Sequence, residues 1–175
     1  MLHSTGGADR TSRGRARPLL FLDVDGTLLP FGAPSGDAST PLPATGVNPL
    51  LTRLDRRHGP LLAAMPCDPV WATTWMSDAN DVIAPLLGWH PLPVVEWPDS
   101  DDDGPMHWKT APLVAWAAGR PFVRVDDEIT DIDRVWVSAH HPGDALLHRV
   151  DARAGITEQD LAAVRTWFAL LASVR

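Results

Sequence analysis

Apolar positions along this chain fall into short runs separated by segments with helical spacing, and several of the runs end on carboxylates or hydroxyls. The clearest run is Leu19-Leu20-Phe21-Leu22, followed at once by Asp23-Val24-Asp25-Gly26-Thr27. Consecutive apolar residues predict a buried strand, and Asp23 and Asp25, two residues apart, project from one side of the backbone where it ends. Asp-Gly between apolar segments is also a hairpin signal, with residues 28–31 as the return strand. A plain hairpin, however, has no use for a carboxylate at the buried end of its first strand, so the pattern favours a metal or phosphate site. Residues 69–75 are apolar and rich in β formers, reach two hydroxyls at Thr73 and Thr74, and lead into a helix over 78–87 capped by Ser77 or Asp78 and closed by Gly88.

Further along, residues 92–97 predict a third strand. Residues 106–118 predict a helix with Leu113, Trp116 and Ala117 at core spacing and Lys109 near its start. Residues 122–125 form another apolar run, and this one ends on Asp126-Asp127-Glu128, repeating the logic of the opening motif. A helix over 131–139, a strand over 145–150 and a helix over 157–173, with Thr157 and Asp160 in capping-box positions, complete the series. Residues 50–54 read as a short strand and 59–65 as a short helix. Strands alternating with helices predict a three-layer, Rossmann-like α/β fold with a mainly parallel five-stranded sheet covered on both faces. Ligands bind such sheets beyond the carboxyl ends of the strands, where all of these polar clusters fall.

The intervening segments add less. Residues 1–17 are rich in Gly, Ser, Thr and Arg and read as a basic tail ahead of one domain spanning 18–175. Residues 30–48, dense in Pro, Gly and Ala, predict a loop or flap beside the first strand's end. Residues 98–105 are acidic; Asp99, Asp101, Asp103 and Gly104 match the opening of a calcium loop, but Thr110 stands where the closing Glu is needed, leaving a solvated acidic loop.

With 175 residues, 45% of them hydrophobic, the chain can bury the core of one domain. A net charge of -7 argues against a broad basic surface for nucleic acid, so an anionic substrate needs local cations. One cysteine, Cys67, excludes an internal disulfide framework and a cysteine zinc site; it lacks the setting of a cysteine phosphatase and reads as a small core residue in a reducing, cytoplasmic compartment. The arginines at 10, 13, 15 and 17 precede an apolar run too short for a leader or a membrane span. His140 and His141, neighbours pointing different ways, read as surface residues, and the eight Trp as core and rim packing.

The chemistry of the strand ends is specific. A carboxylate that attacks phosphorus forms an acyl phosphate, and two anions approaching each other need a divalent cation and fixed positive charge. Asp23 fits the nucleophile; Asp25 fits the group that protonates the leaving oxygen and later takes a proton from water. Backbone N–H groups of residues 25–27, a hydroxyl of Thr73 or Thr74 and the Lys109 ammonium can cradle the phosphoryl oxygens. Asp126 completes a metal site with Asp23, and oxygen-only ligation beside phosphate selects Mg²⁺.

The order Asp-x-Asp-Gly-Thr, strand-end Thr, Lys, then an Asp pair resembles the haloacid dehalogenase superfamily over residues 19–131, with a first motif that is specific and Thr and Lys motifs that are weak alone. The resemblance implies Asp23 as nucleophile and metal ligand and Asp25 as acid/base and backbone-carbonyl metal ligand. It further implies Asp126 on Mg²⁺, Lys109 steadying the phosphoryl intermediate, and Asp127 supporting the metal or Lys109. The second Asp favours a phosphatase over a dehalogenase. The Trp-Ala-Thr-Thr-Trp and Asp-Asp-Glu segments also look like a small bacterial subgroup related to domains attached to RNA-repair proteins. Both gaps where the superfamily inserts large caps are short here, which implies an open site. The expected partner is a phosphorylated small molecule or a nucleic-acid end, with no membrane; a catalytically silent phosphate- or protein-binding domain is the alternative from another class.

Overall fold

A computed structural model describes residues 16–32, 48–98 and 104–173. Most of the basic tail, most of the 30–48 flap and residues 99–103 of the acidic loop lie outside the described residues. The sheet has four strands: β1 (Leu19–Leu22), β2 (Asp68–Trp71), β3 (Phe122–Asp126) and β4 (Ala145–Arg149), in the order β2-β1-β3-β4 with every pairing parallel. β1 has a partner on each side and all four of its residues are buried, which explains a run with no polar alternation.

The side-chain alternation of the strands divides the core in two. Leu20, Leu22, Trp71, Val123 and Val125 pack with α1 (His58–Ala63), α2 (Ala84–Leu86) and α5 (Glu158–Ser173). Leu19, Phe21, Val70, Phe122 and Leu147 pack with α3 (Thr110–Ala117) and α4 (Asp131–His140). Helices therefore cover both faces of a parallel sheet, a Rossmann-like α/β arrangement. Among the described residues, no helix is long and apolar enough to cross a membrane.

Several local expectations are corrected. The sheet has four strands rather than five: residues 92–97 make one bridge, Trp71 to Val94, through Trp71 N–H to Pro93 O and Val95 N–H to Trp71 O, both 2.9 Å. Pro91 and Pro93 carry no N–H with which to extend the ladder. Residues 50–54 belong to a 3-10 helix, Pro49–Arg53, entered through the Asn48 side chain, which accepts from Leu50 N–H. The 78–87 helix is a π turn, Ala79–Ile83, running into α2; Pro85 has no N–H to offer the previous turn, and Asp78 caps by position alone.

No return strand follows the opening motif. The Val24 carbonyl instead accepts from the N–H groups of Thr27, Leu28 and Leu29 at 3.2, 2.8 and 2.9 Å, a tight helical turn. Beyond it, Phe31 N–H donates to Ala152 O and Ile156 N–H to Thr27 O, both at 2.8 Å, so the segment before α5 braces the motif. His141 is buried rather than on the surface: its Nε2 lies 3.0 Å from Arg120 O and its ring meets Phe122 edge-on, whereas His140 is exposed and stacks on Trp136.

Candidate functional site

β1 and β3 are sheet neighbours, but the chain leaves β1 for β2 on one side and returns to β3 on the other. Their carboxyl ends flank the point where the winding direction reverses, the place where open parallel sheets bind ligands. Asp23 follows β1 there and Asp126 ends β3. Asp23, Asp126 and Asp127 each offer a carboxylate oxygen within 4.8 Å of the others, and among the described residues they form the one such group.

Lys109, in the turn before α3, reaches Asp23 and Asp126. Its Nζ donates to Asp23 Oδ1 at 2.9 Å and to Asp126 Oδ2 at 3.2 Å. All three are almost wholly enclosed, with Asp23 5%, Lys109 2% and Asp126 1% exposed. Burial pushes the Asp23 carboxyl up to about 7, with the Lys109 charge pulling against it and the Asp126 charge adding to it. Burial alone would also raise Asp126, but the Arg124 and Lys109 charges and the Glu128 N–H, 2.8 Å from Oδ1, outweigh it and hold Asp126 below the usual range. Lys109 is disfavoured as a cation by burial, yet Asp23 and Asp126 together hold its pKa above the ordinary lysine value. Asp127 is raised by burial and then by the neighbouring Asp126 charge. Carboxylates crowded in this way call for positive charge.

Asp127 also touches the opening motif. Gly26 has φ +68°, and a Cβ there would run into the Asp127 carboxyl. Glycine at 26 therefore serves both the left-handed turn and the close approach of the two carboxylate-bearing segments.

Of the expected residues, Asp23, Lys109, Asp126 and Asp127 come together as one group. Asp25 turns to another neighbour: its Oδ2 accepts from Trp75 Nε1 at 2.9 Å. Thr73 is completely buried and its Oγ accepts from Trp75 N–H at 3.3 Å, whereas Thr74 is exposed. Neither hydroxyl bonds a carboxylate among the described residues.

Sequence reasoning missed a second layer of polar groups. Arg124, two residues before Asp126 on the same face of β3, is 1% exposed; its Nε and one terminal nitrogen donate to Asp126 Oδ2 at 3.2 and 2.9 Å, and the other donates to Thr110 Oγ at 2.9 Å. Thr110 in turn donates to Asp133 at 2.7 Å, and His107 lies between Arg124 and Glu128 at 3.3 and 3.0 Å. The available signal was an arginine inside an otherwise apolar strand, in phase with the carboxylate at its end.

Three carboxylates and no nitrogen or sulfur donor make an oxygen-only set, which suits a hard divalent cation. Asp23, Asp126 and Asp127 are the residues that would hold one. Compared with protein-family models, curated proteins and solved structures, the chain matches none.

Proposed function

We propose that the chain is a Mg²⁺-dependent phosphomonoesterase of the haloacid dehalogenase type, working through a phosphoryl group carried on Asp23. The observation that carries this reading is the meeting of Asp23, Asp126 and Asp127 at adjoining strand ends with the Lys109 ammonium 2.9 Å from Asp23. A divalent cation bound to the three carboxylates supplies the charge that lets an anionic nucleophile approach a phosphate.

The chain's own groups do the rest. The Asp23 carboxylate attacks phosphorus as the bond to the leaving oxygen breaks, and the Asp25 carboxyl gives that oxygen its proton. Water then attacks the phosphoryl group, its proton passes to Asp25, and the bond to Asp23 breaks, releasing phosphate and restoring both carboxyl groups. Lys109 opposes the burial that raises Asp23, favouring its ionised form, and offers positive charge to the phosphoryl oxygens. Arg124 fixes Asp126 in its anionic form.

Turnover of a panel of phosphomonoesters with and without Mg²⁺ tests the proposal. Wild type should require the metal, and Asp23→Asn should lose activity by at least about two orders of magnitude, the scale expected for a lost nucleophile. Undiminished activity in Asp23→Asn would overturn the mechanism. Mg²⁺-dependent phosphate binding without turnover of any ester would point instead to a silent binding domain.

A further inference from the structure

The indole of Trp75 packs against the core beside β2, but its N–H is committed elsewhere. It is half-buried, and its N–H donates to Asp25 Oδ2 at 2.9 Å across 50 residues of sequence; among the described residues it is the hydrogen-bond donor on that carboxylate. The turn that carries Trp75 is unusually constrained. Its own N–H is tied to Thr73 Oγ at 3.3 Å, Met76 N–H donates to Thr73 O at 3.3 Å, and Trp97 Nε1 donates to the same carbonyl at 3.0 Å. Met76 has φ +49°, a left-handed conformation that a side-chain-bearing residue adopts at a cost of order 1 kcal/mol, held only where surrounding contacts over-determine it. The buried end of β2 and a strained turn thus hold one indole N–H against one carboxylate oxygen.

We infer that Trp75 is a positioning residue for proton transfer by Asp25: its N–H engages Oδ2 and thereby fixes Oδ1 as the oxygen that hands a proton to the leaving group and takes one back from water. The inference rests on the reading of Asp25 as the proton carrier. An indole N–H only donates, so it fits an acceptor oxygen in both protonation states of Asp25 provided the proton resides on the other oxygen. A carboxyl free to rotate would divide its proton between two oxygens and two directions. Held in this way, it presents one geometry at each turnover, the condition for efficient general acid catalysis.

This role has a signature that general loosening of the fold does not share. Protonation of the leaving oxygen matters much for a poor leaving group and little for a good one. With Mg²⁺ present, kcat/KM is measured for phenyl phosphate and p-nitrophenyl phosphate in wild type, Trp75→Phe, Asp25→Asn, and a protein carrying benzothienylalanine at position 75. That last residue keeps the bicyclic shape and replaces the N–H by sulfur, so it answers the case in which Trp75→Phe folds poorly.

Relative to wild type, both position-75 variants should shift the ratio of the two kcat/KM values against phenyl phosphate by roughly tenfold, within the range general acid catalysis supplies. Asp25→Asn should shift it further in the same direction. An unchanged ratio in the benzothienylalanine protein, with Asp25→Asn still shifting it, overturns the role of Trp75 and leaves the phosphatase reading standing. An unchanged ratio in Asp25→Asn overturns the assignment of Asp25, and no turnover of either ester by wild type overturns the phosphatase reading itself; the inference falls with either.

Discussion

Asp133 is wholly buried at the start of α4, yet its carboxyl is held below the usual range. Burial alone would raise it. The Thr130 and Thr110 hydroxyls, each 2.7 Å away, and the backbone N–H groups of Thr130 and His107 outweigh that effect because every one of them donates to the anion. A depressed folded pKa contributes stability that is fully present above the ordinary aspartate value near 4 and is lost as pH falls through the lower folded value. Asp133→Asn should therefore be destabilised by about 2 kcal/mol or more at neutral pH, the scale of charge-assisted hydrogen bonds left half made. In thermal or urea unfolding the gap from wild type should close as the pH drops below about 4, and a gap that stays constant with pH would contradict the account. Asp133 was legible in the sequence only as a residue of a helix. The Thr-x-x-Asp spacing of residues 130–133 signals a helix cap, but nothing in it revealed that the His107 N–H and the Thr110 hydroxyl also converge on Asp133, because hydroxyls and backbone amides leave no periodic trace.

Among the elements, those whose pattern answers to one dominant force were the most legible. β1 and β3 are runs enclosed by neighbours and helices, so burial alone shapes them, and their ends were readable from Asp23 and Asp126. α4 was placed from the sequence, but its capping box, in which Thr130 accepts from Asp133 N–H and Asp133 from Thr130 N–H, was not read there. Thr130→Ala should cost about 1 kcal/mol in equilibrium unfolding, as loss of a helix cap does elsewhere. No measurable change would show that the helix start is held by Asp133 and its other donors alone. Elements in which two forces compete were misread. Residues 92–97 have strand-like side chains but prolines that cannot donate to a ladder; the helix over 78–87 stands where its spacing placed it, and only its π turn ahead of Pro85 was not legible. Arg124 obeys the alternation of β3, yet alternation cannot say that the face it occupies is sealed by α3 and α4.

At the scale of the whole molecule, the candidate site is a product of strand order. Asp23 and Lys109 lie 86 residues apart and meet because β1 and β3 are adjacent while β2 is wound to the opposite side. The C-terminal third contributes as well, through the 151–156 segment that braces the turn after Asp23. Gly155, with φ +68°, sits so close to the Thr27 carbonyl that a Cβ would intrude. The motif residues and their order were legible in sequence because chemistry requires particular side chains at strand ends. Their support was not, because Arg124, Trp75 and His107 act through distances that only the assembled sheet creates. If a phosphoryl group passes through Asp23, it can be trapped there. Wild-type protein turning over a phosphomonoester with Mg²⁺ is quenched in acid, reduced with borohydride, which converts an aspartyl phosphate to homoserine, and mapped by peptide mass spectrometry. Homoserine is expected at position 23 and at no other aspartate; turnover with an unmodified Asp23, or homoserine at Asp25 or Asp126 instead, would overturn the phosphoryl-Asp23 proposal.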